Sequence, residues 1–565
     1  MPRLNILALA VLFVAVAARA DFPRKKLIEL GWDQPNTGQL RQYHAQMQAT
    51  APFDGVVMVV SFKAEGRAFD EDLLDAVPWQ RDWLTVPLAD LQACRFTRFT
   101  DNFIRVNCTP GTVAWEDDAG WAAVAAKLGH LAWLARQSGA RGFCFDPESY
   151  GARLFRWDPD RIATFAQAQA LARKRGVQVM ADVVREYPDI TFLSLWMLSL
   201  NRAQAATDEP DAALQTTDYG LWPAFVNGLL DAAAPQTRFV DGCEFGYYQD
   251  DRLGYLELYQ SMRCTQGAQM RLIAPENRAR YNAQVTAGFG FYLDRYANPE
   301  GAKYYIAPLP GGTRVQRLRA NLRAALDVAD EYVWVYGEQC RWWPTGGRFD
   351  AMVKDSSGQG RLWEDMLPGI TAAIEMVRDP AAMAARAAEH RNPQSNLVRN
   401  PGMDADPAVV LPADAAPKAS DWTQSAIPGY HQWQNEGSAG AFTWDRAAGM
   451  ARIQGCGDGC LIQQVAVRPG EELLVEAQGD GRGSRTVTAR WQTPEGRWTA
   501  LSADVTLSLR PTSAGQPELA RGLATVPPGA GYLVLLLSVQ GQRPSESCRF
   551  DNVGVYRVAE LLVGP

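Results

Sequence analysis

Histidine is scarce in this chain, and no zinc motif is visible. Only His44, His130, His390 and His431 occur, none near another in sequence. Positive charge is not in excess either, with 56 Lys and Arg against 63 Asp and Glu. A mildly acidic balance argues against nucleic acid or anionic lipid as partners. After the first twenty residues no apolar stretch reaches the roughly 18 residues of a membrane helix, so no membrane anchor is expected. No glycine-rich loop follows the first strand-like run, which argues against an open dinucleotide-binding sheet. Internal repeats and long low-complexity segments are absent, and no cofactor is required by any motif.

Residues 1–20 read as a secretory signal peptide. Arg3 is followed by the apolar run LNILALAVLFVAVA and then by the small-x-small pattern Ala18-Arg19-Ala20 before Asp21. The expected mature chain is secreted or periplasmic, with 54 basic against 63 acidic residues and a net charge of −9. Its 47% hydrophobic and 10% aromatic content is that of a globular protein. Nine cysteines occur. Most lie in apolar runs and read as buried small hydrophobes. Cys456, Cys460 and Cys548 could supply one bridge.

Residues 21–378 alternate strand-like runs with amphipathic stretches. The runs are 27–32, 55–62, 96–107, 142–150, 190–198, 240–248, 285–294 and 332–338. Helical spacing marks Gly120–Ser138, Arg161–Tyr187 and Arg314–Ala329. Eight βα units in about 350 residues is the count of a TIM (β/α)8 barrel. Residues 379–395 are Ala-rich and form a helical linker that breaks at Asn392-Pro393. From 396 to 565 the helical period vanishes. Short alternating strands (CLIQQVAV, ELLVEAQG, RTVTARWQT, YLVLLLSV, CRFDNVGVY) predict an all-β sandwich.

Barrel active sites lie at the C-terminal ends of the strands, so the polar residues that end each run carry the argument. The fourth run, GFCFDPESY, ends in Asp146 and Glu148, which share one face of a strand. Hydrolysis of a glycosidic bond needs a carboxylic acid and a second carboxylate as base or nucleophile. Glu148 is the expected acid, with the charge of Asp146 raising its pKa. Glu244 and Glu338 are equally placed as its partner. Asp33, Asn102 and Asp294 are expected to bind substrate. Trp32, Tyr150, Tyr247, Tyr248, Trp342 and Trp343 would offer flat faces to sugar rings. As a set beside carboxylates, they favour a carbohydrate ligand. Two rivals stand beside a glycosidase: a polysaccharide lyase acting on uronic acids, and a non-catalytic sugar-binding barrel.

GFCFDPESY resembles the Asp-x-Glu strand end of chitinase-like and other TIM-barrel glycoside hydrolases. That resemblance implies Glu148 as acid and Asp146 as the residue that orients substrate or assists. The family's longer upstream series of alternating Asp is missing here, since Gly142, Phe143 and Phe145 stand in its place. KKLIELGWDQP, DGCEFGYY and DEYVWVYGEQCRWW, with FDPESY, resemble a group of exported bacterial barrel proteins over about 350 residues. The C-terminal segments NLVRNPGMD, DWTQ, IQQVAVRPGEELLVEAQ, LATVPPGAGYLVLLLSV and RFDNVGVY resemble carbohydrate-binding-module-like sandwiches. That likeness implies a sugar platform among Trp422, Trp433, Trp444, Trp491 and Trp498, and a structural calcium near Asp404 and Asp551.

Overall fold

The computed structural model describes residues 25–69, 73–264, 267–309, 312–343, 361–405, 422–511 and 516–562. The expected signal peptide lies outside them. No helix among the described residues is long and apolar enough to cross a membrane.

Nine parallel strands form the first sheet: β1 Lys26–Glu29, β2 Gly55–Met58, β3 Phe103–Asn107, β4 Gly142–Asp146, β5 Thr191–Ser194, β6 Arg238–Asp241, β7 Val285–Ala287, β8 Phe289–Tyr292 and β9 Tyr332–Tyr336. Their order is β8-β9-β1-β2-β3-β4-β5-β6-β7. Strands β7 and β8 are two halves of one run parted at Gly288. The first half pairs with β6 and the second with β9, which brings the sheet round into a barrel. Gly288 allows the change of partner, because a Cβ there would meet Tyr332 O and Val240 Cγ1 at 2.8 Å. The eight expected runs are all present, though shorter than read. The run over 96–107 contributes only Phe103–Asn107.

Alternation within each strand sorts side chains into two layers. Phe143 and Phe145 pack outward under the helices, while Cys144 joins Ile28, Val57, Phe103, Leu193, Val240 and Trp334 inside the barrel. Asp146 continues the inward set and reaches the mouth. The covering helices start where the sequence supplies caps. Asp117 accepts from Gly120 N ahead of Asp118–Ser138, Thr164 accepts from Gln167 N ahead of Phe165–Glu186, and Thr313 forms a capping box with Gln316 ahead of Arg314–Val328.

Helices Ile370–Arg378 and Pro380–Glu389 lead to two six-stranded antiparallel sheets packed as a sandwich. All five strands read from the sequence are present, as Asp458–Ala466, Glu472–Gly481, Ser484–Gln492, Tyr532–Gln540 and Ser547–Arg557. The one bridge that Cys456, Cys460 and Cys548 could supply is not formed, and none of the nine cysteines is in a disulfide. Cys456 and Cys548 point into the sandwich core, whereas Cys460 lies on the other face of its sheet beneath Trp422 and Trp433.

Candidate active site

At the C-terminal ends of the barrel strands a cavity of about 480 Å³ opens. Four carboxyl groups line it: Asp146, Glu148, Glu244 and Glu338. Arg105 is the one cationic side chain among its described lining residues. Tyr150, Tyr247, Tyr248, Tyr292, Tyr304 and Tyr336 share the wall with Trp32 and Trp334.

Each carboxyl group is held by a local device. Asp146 ends β4 and is 2% exposed. Its Oδ1 accepts from the main-chain N–H of Glu148 at 3.0 Å, folding Asp146-Pro147-Glu148 into a tight turn. Asn107 at the end of β3 donates to Asp146 Oδ2 at 2.8 Å and to the Glu148 carbonyl at 3.1 Å. Tyr150 O–H lies 3.0 Å from Glu148 Oε2 and 3.4 Å from Asp146 Oδ2. Glu244 follows a sharp turn in which Cys243 adopts φ 33°. Buried Asp241 fixes that turn by accepting from Met197 N at 3.2 Å, Ser199 N at 2.8 Å and Cys243 N at 3.3 Å. Glu338 is set by buried Asp294, which accepts from its main-chain N–H at 2.8 Å and from that of Gln339 at 3.0 Å.

Burial pushes the Asp146 carboxyl up to about 7; Arg105, with Nη2 3.9 Å from Oδ2, opposes this and the charge of Glu148 adds to it. Burial likewise raises Glu244 to about 8, reinforced by the charges of Glu148, Asp146 and Glu338. Both shifts favour the protonated form of these two carboxyls.

Of the expected site residues, Glu148, Asp146, Glu244, Glu338, Trp32, Tyr150, Tyr247 and Tyr248 meet at this cavity. The others do not. Asn102 precedes β3 and sits at the opposite end of the barrel, accepting from Val56 N and donating to Phe99 O. Asp33 is fully buried beside Glu29 and accepts from Trp342 N at 2.8 Å; burial raises it to about 6. Asp294 is also fully buried and positions Glu338 without reaching the cavity. Trp342 packs edge-on against Phe53 at 4.9 Å, and Trp343 is wholly enclosed in the layer beneath the helices. Gln34, Arg105, Tyr292, Tyr304 and Tyr336 join the lining without having been expected. Strand parity carried the signal for two of them, since Arg105 is two residues after inward Phe103 and Tyr336 two after inward Trp334.

In the sandwich, Trp422, Trp433 and Trp498 line a second cavity of about 460 Å³. Trp491 is instead fully buried core, and Trp444 lies on the other sheet with its Nε1 donating to Met403 O at 2.6 Å. Asp404 lies close enough to Asp551 for its charge to raise the Asp551 pKa, after the larger effect of burial. Among the described residues no third acidic, His or Cys side chain joins them.

No protein-family model matches the chain. Among curated proteins none matches either. Solved structures with similarity to it include the enzymatically active domain of tailspike protein 4 of bacteriophage CBA120, at 14% identity and a TM-score of 0.22, covering 29% of this chain and 22% of that one. The chain thus spans about a fifth of that domain's length. The xylohexaose-bound carbohydrate-binding and glycoside-hydrolase modules of Clostridium thermocellum endo-1,4-β-D-xylanase 10B show 11% identity and a TM-score of 0.18, covering 23% of this chain and 26% of that one. A family 4 carbohydrate-binding module shows 16% identity and a TM-score of 0.20, covering 28% of this chain and 99% of its own. Likenesses of this size leave function to the chemistry of the cavity.

Proposed function

We propose that the chain is an exported glycoside hydrolase acting at the mouth of its barrel, with the sandwich as an accessory sugar-binding module. The observation that carries this reading is the set of four carboxyl groups in one aromatic cavity, where burial shifts two of them toward the protonated form. Glycoside hydrolysis requires that combination of one protonated and one ionised carboxyl flanking a sugar bound by flat apolar surfaces. Geometry and burial favour a division of labour different from the one first expected. Glu244 is the acid, since its surroundings keep a proton on it. Glu148, receiving the Tyr150 O–H, is the base or nucleophile. Asp146 with Asn107 positions Glu148.

In the reaction, Glu244 gives its proton to the leaving oxygen as the C–O bond breaks. Positive charge grows at the anomeric carbon and ring oxygen, and the surrounding carboxylates stabilise it. Water supplies the hydroxyl that ends on that carbon, and its proton returns the carboxyl pair to the starting state. The same acidic lining repels a uronate, which weighs against a lyase. In the sandwich, Trp422, Trp433 and Trp498 would hold a glycan.

The test is a panel of oligosaccharides and aryl glycosides, with products read by mass spectrometry in 18O-labelled water. The wild type should release water-added fragments, and Glu148→Gln and Glu244→Gln should not release them from natural glycans. Fragments bearing an unsaturated, ultraviolet-absorbing ring would make the chain a lyase. Binding without any turnover would make it a receptor.

A further inference from the structure

The cavity is unusual in its charge as well as its carboxyl count. Among the described residues, Glu148, Glu244 and Glu338 have no Lys or Arg partner within ion-pair distance. Arg105 lies toward Asp146 and toward Gln34, whose Oε1 accepts from Nη1 at 3.3 Å. Around Glu338 the walls are tyrosine. Tyr292 O–H is 3.4 Å from Glu338 Oε2, Tyr292 and Tyr336 stack with centroids 5.8 Å apart, and Tyr304 stands edge-on to Tyr292 at 5.4 Å.

An anion among aromatic faces is the setting that recognises an ammonium, through charge and through the negative face of each ring. This cluster already holds one at its rim, where Lys303 Nζ lies 4.8 Å from the centroid of the Tyr304 ring. Lys303 is exposed and is not part of the cavity lining. A neutral sugar would leave the excess charge uncompensated. A uronate would add to it. N-acetylation would remove the ammonium charge and leave only an amide N–H for the carboxylate to accept from.

Resting on the hydrolase reading above, we propose that the sugar bound beside Glu338 carries a free amine in its ammonium form. The substrate class is thus a polymer or oligomer of de-N-acetylated hexosamine. Glu338 is then the specificity residue of the cavity, and Glu148 and Glu244 remain the pair that performs hydrolysis.

The experiment compares matched pairs: β-1,4-linked glucosamine and α-1,4-linked galactosamine hexamers, each beside its N-acetylated and its neutral hexose counterpart. Binding is measured by calorimetry on the full chain carrying Glu148→Gln, and turnover on wild type. The free-amine oligomer of at least one pair should bind about tenfold or more tightly than its counterparts. That preference should shrink severalfold between about 20 mM and 500 mM salt, a measurement that needs no second variant. Adding Glu338→Gln should abolish it. Equal or tighter binding of the acetylated form, a preference insensitive to both salt and Glu338→Gln, or no binding by any amine-bearing oligomer would each overturn the inference. The two levels separate cleanly. Salt-sensitive amine binding without water-added products sinks the hydrolase reading and leaves the amine site. Hydrolysis of acetylated or neutral chains without preference does the reverse.

Discussion

The two ends of the barrel treat the same side chain in opposite ways. At the base, Asp101 is 1% exposed and sits between Lys26 at 3.0 Å and Arg141 at 3.1 Å, with the Tyr332 O–H donating at 3.0 Å. Burial alone would raise its pKa, but the hydrogen bonds from Thr100 and Lys26 and the two cationic charges hold it below the usual carboxylate range. Nearby Asp54, fully buried, is matched by Arg378 at 2.9 Å. At the mouth, Asp146 is equally buried, yet its cation stands 3.9 Å away and its close neighbour is another carboxylate. It moves up to about 7 and Glu244 to about 8. Burial is common to Asp101 and Asp146; the supply of counter-charge decides which way each one shifts.

The largest effect that would sharpen this comparison is on turnover. Glu148→Gln should lower kcat/KM on natural glycans by about a thousandfold or more with the melting temperature held, because the residue serves chemistry rather than packing. Asp101→Ala should do the opposite. It should cost about 2 kcal/mol of stability in a denaturant titration while the folded fraction keeps its kcat.

The pH dependence of stability comes next. Asp146 and Glu244 have folded pKa values raised above their unfolded ones, so native protein binds more protons than unfolded chain. Their contribution is full below the ordinary carboxylate range and is lost as pH rises through about 7 to 8. Asp101, held low, contributes above that range and loses its contribution as pH falls through its folded pKa. The double variant Asp146→Asn/Glu244→Gln should flatten the melting-temperature decline between pH 5 and pH 9 in calorimetric scans, whereas Asp101→Ala should flatten only the acid side. An unchanged alkaline slope in the double variant would break the comparison. A smaller change is expected from Arg105→Met. With the opposing charge gone, Asp146 should titrate higher still, and activity should fall by about tenfold. Smallest is Trp498→Ala in the sandwich, which should weaken retention on the polymeric substrate by roughly fivefold, about 1 kcal/mol, in a pull-down assay.

Much of this architecture is legible in the sequence because period and strand parity are local. The eight runs, the capped helices and the sandwich strands follow from residue spacing, and Asp146 could be placed on the inward face by counting from Cys144; Glu148 lies past the strand end, in the turn that Asp146 closes. What the sequence does not carry is which end of a run is the strand. FTRFTDNFIRVN reads as one apolar run, so Asn102 looked like a residue of the mouth. Only Phe103–Asn107 pairs with its neighbours, and Asn102 falls at the base. Loop direction is equally hidden. Trp32 and Asp33 are adjacent, yet Trp32 faces the cavity and donates to Tyr336 Oη at 2.7 Å while Asp33 turns back to Trp342 N. Which carboxyl burial shifts toward its protonated form depends on three strands converging, so the case for Glu244 in place of Glu148 as the proposed acid arises only when β6 and β4 share one cavity.

The most direct test of the acid assignment is a leaving-group comparison. Glu244→Gln and Glu148→Gln are each assayed on a natural glycan and on its dinitrophenyl glycoside, whose leaving group departs without a proton. The account predicts that Glu244→Gln loses the glycan but keeps most of its activity on the dinitrophenyl substrate, without the fall in rate above about pH 8, while Glu148→Gln loses both. If Glu244→Gln loses both substrates alike, or if Glu148→Gln shows the selective loss, the proton is not on Glu244 and the account is contradicted.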